Sequence, residues 1–361
     1  MTLRFTFAPL PTRVVFGPGT LASVRAEVER AGFSRVLVLS TPGHRHLADR
    51  VAGLLGDLAA GTHPHAAMHV PAGGAERARE TAARLSADGC VAIGGGSTIG
   101  LAKAIALSGG PAYVAVPTTY AGSEMTPVWG LTEHGRKRTG RDERVRPVAV
   151  VYDPDLTLTL PPETAVVSGV NALAHAVEAL YAPNGSPIVD LMAAEAVRVL
   201  TANLPRLTVE PGDPGVRART LHGAWLAGCC LGSTTMGLHH KLCHVLGGTF
   251  GLPHAQTHAV VLPYALAYNS AKAPKACAAI AQALGESDPV TALWTWTRNL
   301  GAPSSLGELG LTEDAIAPTV DLATRDAYPN PVPLDPGRLR ALLEAAVHGA
   351  PPQLPSQSPL P

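Results

Sequence analysis

The chain has 361 residues, which is more than one ordinary hydrophobic core holds and predicts two domains. Basic and acidic residues each number 28, so the formal net charge is zero, and the absence of a basic block argues against a nucleic-acid partner. The five cysteines show no CxxC spacing and the N-terminus has no apolar signal core, which predicts reduced thiols and a cytoplasmic protein.

Strand-like and helix-like patterns alternate through the first part of the chain. Short apolar or β-branched runs predict strands at residues 35–40, 66–70, 90–93 and 113–116. Helices are predicted at residues 76–85 and 99–107, and on one apolar face formed by Leu47, Val51, Leu54, Leu55 and Leu58. This order predicts an α/β domain with a doubly wound, mostly parallel sheet over residues 1–160.

A glycine-rich turn follows the third predicted strand and opens a helix. It consists of Gly94, Gly95, Gly96, Ser97 and Thr98. Glycines let a pyrophosphate approach the backbone, and the hydroxyls and the helix N-terminus offer it donors. By itself, such a sequence is as consistent with an ordinary tight turn as with a phosphate site.

Two more loops are expected at the same edge of the sheet, because the carboxyl ends of parallel strands lie together. They contribute the hydroxyl residues Thr41, Thr118, Thr119 and Ser123. The three loops together predict a dinucleotide site, to which Lys137 is a further candidate contact. No carboxylate follows the first predicted strand, so both NADH and NADPH remain possible cofactors.

From about residue 161 the strand signals fade, and a helical second domain is predicted to residue 350. In residues 166–181, Asn171, His175 and Glu178 form one polar stripe on an otherwise apolar helix, so they need buried partners. Residues 220–238 carry no formal charge and are long enough to span a membrane, but their glycines and hydroxyls predict a buried helix. The proline-rich residues 351–361 are predicted to be disordered.

The most distinctive stretch is residues 237–263, which contain five of the 14 histidines. His240 and His244 are four residues apart, as are His254 and His258, so on two helices each pair would project from one face. A single histidine there is more often a satisfied core or surface residue. The clustering of five, beside Gly247 and Gly248, instead predicts a chemical site.

Five motifs together resemble one family in order and spacing. They are GGGSTIGLAKA, VPTTYAGSEMT, YDPDLTLTLPP, GVNALAHAVEALYAP and HHKLCHVLGGTFGLPHAQTHA. The chain resembles the iron-containing alcohol dehydrogenase superfamily over roughly residues 5–348, and within it the maleylacetate reductases. The resemblance implies an N-terminal dinucleotide-binding domain, a C-terminal helical domain, an active site in the cleft between them, and a homodimer.

The resemblance also implies a ligand set, because the metal-dependent members hold a divalent metal with one aspartate and three histidines. The matching positions here are Asn171, His175, His240 and His254, so the aspartate is missing. An amide oxygen is a poorer ligand and leaves the ion's charge less compensated, so no bound metal is expected. The chain also departs from those members at Gly100, where they have aspartate, and at His258, where they have asparagine.

These departures are typical of maleylacetate reductases, and they imply reduction of the dicarboxylate maleylacetate to 3-oxoadipate in the breakdown of aromatic compounds. Hydride would go to the conjugated C=C bond, and hydrogen-bond donors would stabilise the enolate without a metal. His244 and His254 are the predicted donors, and His175, His240 and Asn171 are predicted to position them and the substrate.

Several alternatives stay open at this point. Arg136, Lys137 and Arg138 are either a site for the substrate carboxylates or a solvated hairpin turn. A metal-dependent alcohol dehydrogenase, a non-redox lyase of the dehydroquinate synthase type and a binding protein without catalysis are alternative functions.

Overall fold

The computed structural model describes residues 4–133 and 136–353, and the side chains of residues 136 and 137 are not described. The Lys137 side chain and the predicted disorder from residue 354 onward therefore lie outside the described residues. The chain folds into two compact units. The first, here the α/β unit, comprises Pro9–Leu160 and Gly212–Leu221, and the second, the helical unit, comprises the chain up to Ala8, Pro161–Pro211 and everything from His222.

The strands of the α/β unit are β1 (Arg13–Phe16), β2 (Val36–Leu39), β3 (Ala59–His63), β4 (Gly89–Gly94), β5 (Ala112–Pro117), β6 (Val128–Glu133), β7 (Arg136–Arg141) and β8 (Ala149–Tyr152). Six of them form a parallel sheet at the centre of the unit, in the order β1-β8-β5-β4-β2-β3, and a β6–β7 hairpin is separate from it. Strands β2, β4 and β8 are buried along their whole length, as expected for a parallel sheet covered on both faces.

Four helices follow strands of this sheet: α1 (Val24–Arg30), α2 (Arg45–Leu55), α3 (Ala72–Arg84) and α4 (Gly96–Leu107). The chain steps outward from β2 to β3 and inward from β4 to β5. Because such crossovers are right-handed, α2 and α4 cover opposite faces of the sheet. The predicted doubly wound sheet is confirmed, and its topological switch point lies between β2 and β4.

Three of the four predicted strands are present as β2, β4 and β5, but the prediction at residues 66–70 is wrong. The strand is instead β3, whose sequence AAGTH has little β-branched character. Its extended state comes from pairing with β2, where Leu39 lies opposite His63. Residues 66–70 form a loop, in which His69 and Val70 have φ angles of 61° and 47°. The apolar face predicted for residues 47–58 extends beyond the helix, since α2 ends at Leu55.

Nine α-helices occur in the described residues after Leu160. They are α5 (Pro162–Ala179), α6 (Pro187–Val209), α7 (Pro214–Ser233), α8 (Leu238–Phe250), α9 (His254–Asn269), α10 (Pro274–Leu284), α11 (Pro289–Asn299), α12 (Ile316–Thr324) and α13 (Pro336–His348). Helix α5 is buried continuously from Ala165 to Ala179, as its sparse polar stripe predicts. The uncharged run at residues 220–238 is broken between α7 and α8, and no described helix has the length and apolar character to cross a membrane.

Candidate active site

The three predicted nucleotide loops lie at the carboxyl ends of β2, β4 and β5. Gly94 lies opposite Pro117 in the β4–β5 ladder, and the Thr118 N–H donates to the Gly94 carbonyl at 3.1 Å. The loop containing Thr41 follows β2, on the other side of the switch point. Ligands of open α/β sheets bind in the crevice at this point, so the fold brings the predicted loop residues to one edge.

Close packing around the glycine loop leaves no room for side chains at two positions. Gly94 has a φ of 152°, and a Cβ there would lie 2.4 Å from Thr98 Oγ1. A Cβ on Gly95 would lie 2.9 Å from Thr119 Cγ2. The two loops therefore depend on glycine for their contact. At Gly100, where the metal-dependent members carry aspartate, a Cβ would lie 2.5 Å from Val70 Cγ2.

Two buried hydroxyls at this edge have no protein partner. The Oγ1 atoms of Thr98 and Thr118 are buried and form no hydrogen bond within the described part of the chain. Burying a hydroxyl without a partner is unfavourable, so these atoms suit a ligand with hydrogen-bonding oxygens. Helix α4 begins at Gly96 without a side-chain cap and adds unsatisfied N–H groups. These features fit the phosphates and ribose of a dinucleotide.

Lys103 is a buried charge in this region that the sequence analysis did not single out. Its Nζ donates to the carbonyl oxygens of Ser123, Thr126 and Val128 at 2.7, 3.0 and 2.6 Å, and to Thr126 Oγ1 at 2.9 Å. Burial lowers the pKa of Lys103 to about 7, and these four oxygen acceptors favour its ammonium form. Lys103 thus fixes the loop that follows Ser123 to the helix that begins at the glycine loop. A lone lysine in the apolar sequence IGLAKAIAL was the available signal.

The helical unit brings six histidines into one cluster. Helix α5 supplies His175, α8 supplies three and α9 supplies two, and the members are His175, His239, His240, His244, His254 and His258. The ring centroids of His240 and His258 are 5.0 Å apart, and those of His254 and His258 are 4.4 Å apart. The rings of His244 and His254 are nearly parallel, with centroids 6.3 Å apart. Each of the two four-residue spacings therefore places its histidines close together on one helix, as the sequence predicts.

A buried carboxylate anchors one side of this histidine cluster. Glu178, which is 1 % exposed, accepts from the backbone N–H of His239 at 2.8 Å and lies 2.5 Å from Nδ1 of His240. Nε2 of His240 is 2.8 Å from Nδ1 of His175. Since a carboxylate can only accept, His240 donates through Nδ1, and its neutral tautomer accepts from His175 through Nε2. The sequence placed Glu178 on the polar stripe but assigned it no role.

A second pair, His239 and His258, is completely buried. His239 Nε2 and His258 Nδ1 are 2.8 Å apart, and Cys243 Sγ is 3.8 Å from His239 Nε2. Burial, followed by the charges of the neighbouring histidines, lowers the pKa of both imidazoles well below the usual value. They are therefore neutral at physiological pH, and the cluster gains no charge from them.

The predicted donors differ from the rest of the histidine cluster in exposure. His244 and His254 are half-buried, whereas the other four histidines are buried. A group that donates to a substrate must be reachable from outside, so these two are the members with the required access. Asn171 and His175 are each 3 % exposed, which suits a supporting position.

The positions that match the metal ligands do not bring three histidine, cysteine or carboxylate ligand atoms close together within the described residues. Within the described residues, the one group of three histidine, cysteine or carboxylate ligand atoms lying within 4.8 Å of one another is His239, Cys243 and His258. His175 and His240 instead contact each other through ring nitrogens, and Asn171 supplies an amide in place of the carboxylate. The carboxylate of Glu178 is nearby, but it contacts the ring of His240 and does not occupy the position of the aspartate ligand, where this chain has Asn171.

The basic segment at residues 136–138 lies in the β6–β7 hairpin of the α/β unit. The exposed guanidinium of Arg138 pairs with Glu133 at 3.2 Å. Arg138 therefore has the environment of a solvated hairpin turn, which was one of the two alternatives for this segment.

Comparisons with known proteins agree with this architecture. Residues 11–154 match the iron-containing alcohol dehydrogenase model, and residues 165–347 match the C-terminal model of the Fe-containing alcohol dehydrogenase family. The chain is 51 % identical over 350 residues to a maleylacetate reductase of Sphingobium indicum, covering 97 % of this chain and 99 % of the relative. It is 52 % identical over 348 residues to one of Burkholderia cepacia, covering 96 % and 99 %. The crystal structure of maleylacetate reductase from Agrobacterium tumefaciens superposes with a TM-score of 0.93 at 46 % identity, covering 97 % of this chain and 100 % of that one.

Proposed function

The chain belongs to the iron-containing alcohol dehydrogenase family, and we propose that it is an NAD(P)H-dependent maleylacetate reductase that works without a metal. The observation that carries the proposal is the cluster of six histidines, with Asn171 at the position of the metal-binding aspartate. Relatives about half identical over nearly the whole chain bear the name of this activity. The product is 3-oxoadipate, formed by reduction of the C=C bond conjugated to the ketone.

The loops at the sheet edge hold the cofactor in this proposal. Gly94, Gly95 and Gly96 receive the pyrophosphate, with N–H groups from the start of α4 and the hydroxyl of Ser97. The remaining predicted contacts are Thr41, Thr98, Thr118, Thr119, Ser123 and Lys137. Thr98 and Thr118 gain partners for their buried hydroxyls. When bound, the reduced nicotinamide supplies the hydride.

His244 and His254 act on the substrate. Hydride addition to the alkene carbon remote from the ketone places negative charge on the ketone oxygen, as an enolate. Donors aimed at that oxygen lower the barrier most when they are already in place and poorly solvated, as half-buried imidazoles are. One of the two then delivers a proton to the carbon next to the ketone, which completes the saturated product.

The Glu178–His240–His175 chain keeps this donor arrangement in place. The Glu178 carboxylate sets the tautomer of His240 and thereby the orientation of His175. Asn171 lies one helical turn before His175 on α5 and adds a neutral amide to the pocket. Because substrate and enolate are both anionic, a neutral amide favours their binding over the carboxylate of the metal-dependent members.

The direct test is to follow NADH oxidation with maleylacetate and, separately, with simple aldehydes and ketones. We expect turnover with maleylacetate only, unchanged after prolonged treatment with chelator. Loss of activity on chelation and its recovery with iron or zinc would replace the proposal with a metal-dependent alcohol dehydrogenase. Turnover of a substrate without net NADH oxidation would instead indicate the lyase alternative.

The oligomeric state proposed from the family resemblance is a homodimer. Size-exclusion chromatography with light scattering tests it, since one chain has a mass of 37.2 kDa. A species of twice that mass, independent of protein concentration in the micromolar range, is the expected result.

A further inference from the structure

A polar cavity lies in the α/β unit, between the edge strand β3 and helix α3. Its volume is about 540 Å³. Strand β3 and the residues after it contribute Thr62, His63 and His65, and helix α3 contributes Arg77, Thr81 and Arg84. None of these residues belongs to the predicted nucleotide loops.

Two arginines in the lining of this cavity have no ion-pair partner among the described residues. Within the described residues, the guanidinium groups of Arg77 and Arg84 form no ion pair and no hydrogen bond. The two arginines are seven residues apart on α3, so they lie on one face about 10 Å apart along the helix. Glu80 is the single acidic residue in the lining, and it pairs with neither of them. Unpaired arginines that face one cavity are suited to a phosphate or carboxylate.

His63 provides an independent sign of a ligand. Its side chain is 6 % exposed, and its Nε2 has no hydrogen-bond partner in the described part of the chain. Burial first, and then the charges of His65, Arg77 and Arg84, lowers the pKa of His63. Its ring is therefore neutral and can present one N–H to an acceptor. A buried ring nitrogen left without a partner costs stability unless something else satisfies it.

The position of the cavity relates it to the nucleotide edge of the same unit. His63 ends β3 and lies opposite Leu39, and its carbonyl accepts from the Ser40 N–H at 3.3 Å. Thr41, the next residue, is at the loop where doubly wound sheets hold the adenosine ribose. Neighbouring strands are about 4.8 Å apart, so the end of β3 is one strand away from that ribose.

We propose that this cavity, which we call the β3–α3 pocket, binds the phosphate of a phosphorylated sugar. The two guanidinium charges match a phosphate dianion, the His63 N–H donates to one of its oxygens, and Thr62 and Glu80 accept the sugar hydroxyls. Glu80 disfavours a bare anion, because it lies in the same lining, so a hydroxyl-bearing ester fits better than inorganic phosphate. The volume of about 540 Å³ also exceeds what one phosphate group fills.

Two ligands carry this chemistry. One is the 2′-phosphate of NADPH, whose ribose would lie at the end of β2, and this source rests on the nucleotide site proposed above. The other is a free sugar phosphate that binds independently of the cofactor. The shared requirement is a phosphate ester held by Arg77 and Arg84.

The test is calorimetric titration of the whole protein with NADPH, NADH, ribose 5-phosphate and inorganic phosphate, without maleylacetate. The variant is Arg77→Gln combined with Arg84→Gln, and the matched control is Arg79→Gln, an exposed arginine of α3 that pairs with Glu76 and does not line the pocket. If NADPH is the source, the double variant weakens NADPH at least tenfold and leaves NADH unchanged. If a free sugar phosphate is the source, ribose 5-phosphate binds the native protein more tightly than inorganic phosphate and this binding is lost in the double variant.

The proposal is overturned if the double variant binds NADPH and NADH as the native protein does and ribose 5-phosphate binds neither protein. It is also overturned if Arg79→Gln reproduces every loss, because the effect would then be general surface charge. These readings are independent of turnover. A protein that fails to reduce maleylacetate but shows the phosphate-dependent difference would refute the proposed function and retain the β3–α3 pocket.

Discussion

The nucleotide loops and the histidine cluster are built from different parts of the chain. The loops at Gly94–Gly95 and Thr118 use the backbone, exclude side chains, and leave two hydroxyls ready for a ligand. The histidine cluster uses side chains from three helices, which hydrogen-bond to one another and to Glu178, and within the described residues Nδ1 of His239 and Nε2 of His258 are buried without a partner. A hydride source is common to many reactions, whereas the acceptor is specific to one. In our proposal, therefore, the helical unit and not the loops determines which substrate is reduced.

The two regions also handle buried charge differently. Lys103 donates its N–H groups to oxygens of residues 123–128, so its charge holds this segment in place. Glu178 contacts the ring of His240 and the backbone at the start of α8, so its charge acts on the histidine cluster. Replacing either residue would leave unsatisfied buried groups, but only Glu178 contacts the histidines that position the donors in our proposal.

The strongest test of this contrast removes the donors alone. His244→Ala and His254→Ala should each lower turnover of maleylacetate by on the order of a hundredfold or more, because the enolate loses a donor or its proton source. The affinity for NADH should not change, since the loops are untouched. Steady-state turnover and nucleotide titration measure the two quantities on the same preparations.

His348→Ala is the matched control, because His348 is an exposed histidine at the end of α13. It should turn over like the native protein. Near-normal turnover in both the His244 and His254 variants would show that the catalytic groups have been assigned wrongly.

The converse test disables the loops and spares the histidines. Gly95→Val places a side chain against Thr119, where a Cβ alone would be 2.9 Å from Cγ2, and should weaken NADH binding at least tenfold. Circular dichroism should show that the fold survives. Gly53→Ala in α2 is the control, because a Cβ there meets nothing within 4 Å. Unchanged NADH affinity in a folded Gly95→Val protein would remove this loop from the cofactor site.

The sequence predicted these two regions unequally well, for physical reasons. A local pattern sufficed for the glycine loop, since turn residues act over short distances, whereas the four-residue histidine spacings were only consistent with α8 and α9. Strand β3 was missed because pairing with β2, and not its own composition, makes it extended. The contacts of Glu178 and Lys103 depend on residues 61 and 20–25 positions away, which no local pattern encodes.

A third test changes the histidine cluster toward the ligand set of the metal-dependent members. Asn171→Asp should raise zinc affinity about tenfold, because a carboxylate is a far better ligand than an amide and offsets part of the ion's charge. Maleylacetate turnover should fall several-fold, since the new anion repels the substrate and a bound ion occupies the histidines. Chelator-treated native and variant proteins are titrated with zinc while metal content and turnover are both recorded. Higher turnover of the variant on zinc addition would argue that this pocket uses a metal after all.

The smallest expected effect concerns folding and separates the buried pair His239 and His258 from the proposed donors His244 and His254. The folded pKa values of His239 and His258 lie well below the ordinary 6.5, chiefly because of burial. Below pH 6.5 the unfolded chain therefore binds protons that the folded chain does not, so the free energy of unfolding falls as the pH decreases, by up to about 1.4 kcal/mol per pH unit for each histidine.

His258→Asn removes one of these groups. It should reduce the slope of the free energy of unfolding against pH, between pH 6.5 and 5.5, by up to that amount, measured by urea unfolding at each pH. His348→Ala, which removes an exposed histidine at the end of α13, is measured in parallel as the control. Equal slopes for the native protein and His258→Asn would mean that His258 takes up its proton without unfolding, and that the pair is not held neutral by burial.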